Sequence, residues 1–336
     1  MEDCIDGISC PQPNQMRPDA PRIAVLIPCY NEAAAIAGVV ADFRRSLPDA
    51  EIYVYDNNSQ DETGSIASQA GAQVRHEMLQ GKGNVVRRMF SDVEADIYVL
   101  VDGDGTYDSA SAPKMIRMLL LGRLDMVNGA RVSSHQAAYR RGHRAGNLLL
   151  SGIVAWIFGD RIADMLSGYR VFSRRFVKSF PALSSGFEIE TELTVHSLEL
   201  RVPLSEMEIP YSERAEGSAS KLRTYSDGLR ILRTIVWLIK QERPLQFFSI
   251  AAGVLFVLSC VLSMPVLVTY HQTGLVPRLP TAILSMGMML LSFLLLACGL
   301  ILDSVVLGRK EAKRMVYLSI PFLDAAGPDV YWVKSE

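Results

Sequence analysis

The sequence predicts an α/β domain with a mostly parallel sheet, followed by two helices that cross a membrane. Three observations carry this expectation. Short apolar runs alternate with helical periodicity from residue 23 to residue 128, as in a sheet with helices packed on both faces. Polar loops rich in Asp and Asn follow three of those apolar runs. Charge is unevenly distributed: in a chain of 336 residues with 34 basic and 36 acidic side chains, residues 244–302 hold one formal charge, Arg278. The rest of the chain is about 25% charged, the usual value for a soluble domain. These features exclude a disordered chain, a purely soluble single domain and a polytopic transporter. A net charge of −2 gives no support for wholesale nucleic-acid binding.

The elements follow in order. Residues 1–21 contain Pro11, Pro13, Pro18 and Pro21 without an apolar stretch, which reads as a loose tail and not a signal peptide. The α/β domain is expected over 22–218. A strand at 23–27 ends at Pro28, and a helix at 32–46 stops at Leu47-Pro48. A strand at 51–55 leads to a helix at 61–70, with Gly71 as its C-terminal cap. A helix at 84–93, a strand at 97–101, a helix at 111–121 and a strand at 125–128 complete the alternation.

Within 219–243, the positions Leu222, Tyr225, Leu229, Leu232, Ile235, Val236 and Ile239 recur at helical spacing. Lys221, Arg223, Arg230, Arg233 and Lys240 lie among them. This pattern fits a basic amphipathic helix in the lipid headgroup layer, with an ordinary core-facing helix as the alternative. Residues 247–270 and 279–302, inside a membrane unit at 244–307, are each long enough to span the hydrocarbon core. Their connecting loop carries one basic residue, whereas Lys240, Arg243, Arg309, Lys310, Lys313 and Arg314 flank the pair. That asymmetry places the α/β domain and the 308–336 tail in the cytoplasm. Five cysteines without CxxC spacing suit a reducing compartment and give no zinc motif.

The chemistry is expected at the carboxyl ends of the strands, where open α/β sheets bind ligands. Pro28-Cys29-Tyr30-Asn31-Glu32, the Asp56–Asp61 stretch and Asp102-Gly103-Asp104-Gly105-Thr106-Tyr107-Asp108 occupy those ends. Asp102 and Asp104, two residues apart after an apolar strand, suit a hard divalent cation, Mg2+ or Mn2+, that bridges to substrate phosphates. Gly81-Lys82-Gly83 precedes a helix, so its N–H groups and Lys82 are candidates for neutralising phosphate. It lacks the complete P-loop pattern, because Asn84 follows Gly83. The basic cluster at 139–144 beside the apolar run 148–158 has the composition to meet a lipid phosphate and its tail. A core helix is the other reading of that apolar run.

Taken in order, Pro28 to Glu32, Asp56 to Thr63, Gly81 to Asn84, Asp102 to Asp108 and Asp164-Met165-Leu166-Ser167-Gly168-Tyr169-Arg170 resemble glycosyltransferase family 2, with its GT-A fold. Within it, they resemble the polyprenyl-phosphate glycosyltransferases of the dolichol-phosphate mannose synthase and undecaprenyl-phosphate glucosyltransferase type. The resemblance covers residues 23–240, and two C-terminal spans fit one branch of the family.

It implies that Pro28, Tyr30, Glu32 and Asp56 hold the base and ribose of a nucleotide sugar, with Lys82 near the nucleotide. It implies that Asp102 and Asp104 bind the diphosphate through the metal, Asp104 being the more direct ligand. Gly129-Ala130-Arg131 resembles the family's GxR after the fourth strand. Arg131 and a second arginine, Arg144 with Arg140 and Arg141 as alternatives, would bind the acceptor phosphate. Arg214, Gly217, Ser220 and Lys221 resemble the RxxGxSK segment, with one extra residue after Gly217. Asp164 would lie near the reacting centre, as an orienting group or a base, and Arg170 would be structural.

The implied reaction is inverting transfer of a hexose, from a UDP-sugar in this branch, to undecaprenyl or dolichyl phosphate at the cytoplasmic face. Asp104, Asp164 and Arg131 would be the catalytic residues. The alternatives are a processive polysaccharide synthase, which needs more spans and a QxxRW-type motif, and a non-catalytic sugar-nucleotide-binding scaffold. The oligomeric state, homo-oligomer or monomer, stays open, and two spans without a channel leave product translocation to another protein.

Overall fold

In a computed structural model, residues 21–132, 162–186, 188–212 and 240–323, together with residue 152, are described. Strand β1 (Ile23–Cys29), helix α1 (Ile36–Ser46), β2 (Glu51–Asp56), α2 (Thr63–Gln69), β3 (Gln73–His76), α3 (Lys82–Asp92), β4 (Ile97–Leu100) and α4 (Ala112–Leu121) come first. Then follow β5 (Met126–Val132), β6 (Arg170–Ser173), α5 (Arg174–Ser179), α6 (Ile189–Leu200) and β7 (Leu204–Pro210). Two long helices end the described chain, α7 (Pro244–Thr273) and α8 (Leu279–Leu318).

The strands form one seven-stranded sheet in the order β3-β2-β1-β4-β6-β5-β7. All the pairings are parallel except those of β6, which runs antiparallel to both β4 and β5. The strand order reverses between β1 and β4, so the topological switch point lies between the loops that follow those two strands.

Both faces of the sheet are covered, which explains the near-continuous apolar character of β1 and β4. On one face Val25, Ile27, Ile52, Val54 and Val99 pack with Val40 and Phe43 of α1 and Ile116 and Leu119 of α4. On the other, Leu26, Tyr53, Tyr55 and Leu100 pack with Val86, Met89 and Phe90 of α3 and Phe176 of α5. Pro28 is tolerated inside β1 because pairing with β4 ends at Leu26↔Leu100, although pairing with β2 continues to Cys29↔Asp56.

The differences from the sequence expectation have local causes. Helix α1 starts at Ile36 and not at residue 32, because Glu32 is held in a turn: its carbonyl accepts from Ala35 and Ile36 N. Strand β3 has no counterpart in the sequence expectation, since QVRH at a sheet edge lacks an apolar pattern. Strand β5 runs to Val132, beyond the expected end at 128, because β7 pairs with its whole length from Met126↔Leu204 to Val132↔Pro210. Gly129-Ala130-Arg131 is therefore part of a strand and not of a loop after it. The expected helix at 219–243 lies almost wholly outside the described residues.

Helices α7 and α8 are 30 and 40 residues long, and only 11% of the most apolar window of each is buried. Both are long and apolar enough to cross a membrane, and their outward surfaces, including Val254, Leu258, Val261, Leu284, Leu291 and Leu294, are exposed. They meet along small residues at seven-residue intervals, Ser285, Ser292 and Gly299 on α8 against Ala252 and Ser259 on α7. Ser259 Oγ donates to Ser285 O at 2.7 Å and Ser292 Oγ to Ala252 O at 2.9 Å. Such contacts allow close helix approach where the surrounding lipid is as apolar as the side chains.

At about 1.5 Å per residue α8 reaches about 60 Å, roughly twice a hydrocarbon core. Its last turns dock on the α/β domain: Lys313 Nζ lies 2.6 Å from Glu199 Oε2, and Tyr317 OH donates to Asp125 Oδ2 at 2.6 Å. The Arg175 guanidinium stacks 4.8 Å from the rings of both Tyr317 and Phe322.

Candidate active site

The loops after β1, β2 and β3 are stitched together by side chain to backbone hydrogen bonds. Asn31 N donates to Ser59 Oγ at 2.9 Å, Gln60 N to Asn31 Oδ1 at 2.7 Å, and Glu32 N to Thr63 Oγ1 at 2.9 Å. Asn57 is buried and makes three hydrogen bonds to the segment 77–81 that follows β3. Its Nδ2 donates to Glu77 O and Leu79 O, both at 2.8 Å, and its Oδ1 accepts from Gly81 N at 2.7 Å. Asn31 and Asn58 both have positive φ, 53° and 61°, a conformation that asparagine tolerates better than most residues. Of the expected nucleotide residues, Pro28 is the last but one residue of β1, Tyr30 and Glu32 sit on the loop after it, and Asp56 ends β2. Asp56 Oδ1 accepts from Ser59 N at 3.2 Å, and Oδ2 lies 3.4 Å from His76 Nδ1.

The N–H groups of Gly81 and Gly83, expected to face phosphate, are bound within the protein. Gly83 N and Asn84 N donate to Ser185 O at 3.1 and 3.3 Å, and Gly81 N is taken by Asn57. The glycines are there for close approach to the neighbouring loop. A methyl group on Gly81 or Gly83 would fall 2.2 Å from the Ser185 or Ser184 carbonyl oxygen. Glu192 fixes that neighbouring loop by accepting from Leu183 N and Ser184 N, both at 2.8 Å.

Lys82, the first residue of α3, turns inward. Its ammonium lies 2.5 Å from Asp102 Oδ1 and 2.6 Å from Glu190 Oε1. Burial alone would lower its pKa, but the two carboxylates outweigh burial and hold it above the usual lysine value, so the side chain stays cationic.

Asp102 and Asp104 lie on the loop after β4, beside the switch point. Asp104 is buried, and its Oδ1 accepts from Thr106 N at 3.2 Å and Thr106 Oγ1 at 2.7 Å. Asp102 is pressed against the loop before β6: a methyl group on Gly168 would come within 2.3 Å of Asp102 Oδ2. Tyr107 ties the two loops together, accepting from Gly168 N at 2.9 Å while its ring contacts those of Tyr169 and Tyr211 edge-on at 5.4 Å. Asp102 and Asp104 are hard oxygen donors. Among the described residues no group of three or more His, Cys, Asp or Glu gathers around a potential metal position. Two hard oxygen donors two residues apart fit a divalent cation that leaves positions for substrate oxygens and water. A cleft of about 270 Å3 opens beside this loop, lined by Ala35, Gly38, Asp42, Asp102, Asp104 and Tyr107 among others.

Arg131 and Asp164 meet across the neighbouring strand end. Arg131 Nε and Nη2 donate to Asp164 Oδ2 and Oδ1 at 2.6 and 2.8 Å, and the guanidinium lies 5.5 Å from the centre of the Tyr211 ring. Burial would raise the Asp164 pKa, but the Arg131 hydrogen bonds and charge, helped by Arg170, hold it below the usual carboxylate value. Asp164 therefore remains ionised at neutral pH and is poorly suited to take up a proton. Arg170 is fully buried and donates to Ser167 O at 3.1 Å, Met165 O at 2.7 Å and Thr194 Oγ1 at 2.9 Å, which fixes the 164–168 loop against α6.

The structure thus brings Lys82, Asp102, Asp104, Arg131 and Asp164 to one edge of the sheet. Arg140, Arg141, Arg144, Arg214, Gly217, Ser220 and Lys221 lie outside the described residues. Glu190, Asn57 and Tyr211 join the site without having been assigned a role from the sequence. The only trace of Glu190 was the run of alternating acids Glu188, Glu190 and Glu192, which also reads as an ordinary acidic first turn of a helix.

Residues 24–179 match the family described as Glycosyl transferase family 2. Glycosyltransferase AglJ of Haloferax volcanii is 32% identical over 306 residues, covering 89% of this chain and 98% of that protein. A dolichyl-phosphate hexose transferase of the same organism is 28% identical over 221 residues, 66% of this chain and 95% of that one. A crystal structure of Mycobacterium tuberculosis glucosyl-3-phosphoglycerate synthase, in complex with Mn2+, uridine diphosphate and phosphoglyceric acid, superposes with a TM-score of 0.54. It shares 21% identity over 66% of this chain and 78% of that chain, a likeness of fold. With the acidic loop at the switch point of a seven-stranded sheet and a relative aligned over nearly its whole length, the chain belongs to glycosyltransferase family 2, as a GT-A-fold enzyme with two C-terminal helices able to cross a membrane.

Proposed function

We propose that the protein transfers a hexose, with inversion, from a UDP-sugar to a polyprenyl phosphate at the cytoplasmic face of a membrane. The observation that carries this reading is the joining, in one chain, of an acidic loop at the switch point of the sheet to two helices with apolar, exposed outer surfaces. A water-soluble acceptor would require no such anchor. The similarity to a dolichyl-phosphate hexose transferase supports the same acceptor class.

Asp102 and Asp104 would hold the divalent cation, Mg2+ or Mn2+, which when bound neutralises charge on the leaving diphosphate. Pro28, Tyr30, Glu32 and Asp56 line the place for base and ribose. An acceptor phosphate oxygen forms the new bond to the anomeric carbon, and the bond from that carbon to the diphosphate oxygen breaks, its electrons leaving on the diphosphate. A phosphate monoester has a second pKa near 6, so the acceptor is already largely dianionic at pH 7 and requires no base. Asp164 accordingly orients Arg131, and Arg131, with Arg144 or Arg140, positions the acceptor phosphate.

The decisive test is a donor screen with purified protein, polyprenyl phosphate and Mn2+, reading the lipid product by mass spectrometry. A hexosyl phosphate lipid is expected. Sugar transferred only to a soluble acceptor, or a growing polysaccharide, would refute the reading.

Two replacements test the roles. Arg131→Ala is expected to raise the acceptor KM about tenfold and the donor KM little, whereas equal rises would refute acceptor binding. Asp164→Asn is expected to lower kcat while leaving the rate flat with pH above 7. The Arg131 hydrogen bonds and charge hold the Asp164 carboxylate below its usual range, so it is already ionised throughout this pH window in the unsubstituted protein and its replacement removes no titration above pH 7. A new rate dependence near neutral pH would restore the base role.

A further inference from the structure

Lys82, Asp102 and Glu190 form a chain of charge from the rim of the site inward. The Asp102 side chain is 28% exposed, whereas those of Lys82 and Glu190 are 8% and 11% exposed. Asp102 is thus the carboxylate that solvent reaches most readily, and the Lys82 ammonium lies between it and the nearly covered Glu190. The backbone at Glu190 is tied into the fold. Glu190 stands in the first turn of α6, Thr194 Oγ1 donates to the Glu190 carbonyl at 3.1 Å, and Arg170 Nη1 donates to Thr194 Oγ1 at 2.9 Å. The Lys82 backbone is tied in as well, because the two residues after it are bound to Ser185 O. The ammonium is therefore delivered to a fixed place between two carboxylates, only one of which belongs to the Asp102–Asp104 pair.

An ammonium has three N–H donors. Two are used here, one on each carboxylate, which leaves one for a phosphate oxygen. A divalent cation on Asp102 would stand beside this ammonium, and like charges at such range repel strongly in a partly buried site. Without a second anchor the lysine would have to leave the pocket or the cation would bind poorly.

We propose that Glu190 is a positioning residue of the donor site, holding the Lys82 ammonium when a divalent cation takes Asp102, so that lysine and cation share one acidic pocket. The inference rests on the reading that Asp102 and Asp104 bind the cation. Glu190 acts through Lys82 and not as a ligand, which distinguishes it from the aspartates.

The test is a double-mutant cycle on the full-length protein in detergent with Mn2+ alone, free Mn2+ being read by electron paramagnetic resonance. Glu190→Gln keeps the shape of the side chain and is expected to weaken Mn2+ binding by about tenfold. In a Lys82→Met background the same replacement is expected to change Mn2+ binding less than about twofold. Glu190→Asp, which keeps the charge, should retain most of the affinity and serves if the Gln variant does not fold. Equal weakening in both backgrounds would show that Glu190 acts on the cation directly and would overturn the proposal. So would unchanged Mn2+ binding in Glu190→Gln, or an Asp variant as weak as the Gln variant. Failure of the unsubstituted protein to bind Mn2+ would instead remove the metal reading itself, and is seen before any replacement is made.

Discussion

Asp104→Asn is expected to lower hexose transfer by about 10²–10³-fold, the usual cost of losing one group that stabilises developing charge in an enclosed site. Asp104 is suited to this experiment because the hydrogen bonds of its Oδ1 can survive the replacement. That oxygen accepts from Thr106 N and Thr106 Oγ1 and so fixes the turn after β4. An asparagine Oδ1 can take over those hydrogen bonds, leaving the turn in place while the negative charge is lost. Melting should therefore shift by no more than a few degrees while turnover collapses. The measurement is transfer of labelled hexose at several Mn2+ concentrations. Nearly normal turnover at moderate Mn2+ would remove Asp104 from the metal site, and a large drop in melting temperature would make the loss one of folding.

The second large effect lies at the opposite edge of the sheet. Asp125, just before β5, is fully buried and accepts from Arg175 Nε and Nη2 at 2.5 and 2.7 Å, Ser173 Oγ at 2.6 Å and Tyr317 OH at 2.6 Å. One carboxylate thus joins β6, α5 and the far end of α8. Removing one member of a buried ion pair costs about 3–5 kcal/mol, because the partner charge is left without compensation. The Arg175 side chain is 19% exposed and can regain some water, so Asp125→Ala is expected near the low end, about 3 kcal/mol. Tyr317→Phe removes one donor from a carboxylate that keeps the others, and is expected to cost about 1 kcal/mol. Thermal melting of the detergent-solubilised protein reads both, at about 2–4 °C per kcal/mol for a domain of this size. If both variants melt with the unsubstituted protein, the α8 contact contributes nothing to stability.

Helix α8 shows how far composition carries. The apolar stretch at 279–302 was legible because a membrane span needs a run of uncharged residues, whatever surrounds it. The helix continues to Leu318, which composition did not reveal: residues 303–318 mix charged and apolar side chains, as many solvent-facing segments do. What keeps them in place is contact with residues distant in sequence, Glu199, Asp125 and Arg175. Strand β3 is not legible in the sequence for a related reason. At a sheet edge its backbone pairing with β2 defines it, and its side chains carry no period.

The candidate site divides along the same line. Acidic loops after apolar strands, and the order of the five segments, were enough to point to the sheet edge and to the family, because strand ends and glycine spacing are local properties of the chain. Pairing of side chains across the site is not local. That Lys82 is held by Asp102 and Glu190, that the N–H groups of Gly83 and Asn84 are spent on Ser185, and that Asp164 is bound to Arg131 all depend on which loops the strand order β3-β2-β1-β4-β6-β5-β7 makes neighbours. The sequence by itself determined the division into a charged α/β domain and an apolar pair of helices, and which residue types could meet a diphosphate. Only the tertiary structure decided which charges are already paired, because a buried charge takes its partner from whatever the fold brings within hydrogen-bond distance, however far apart the two lie along the chain.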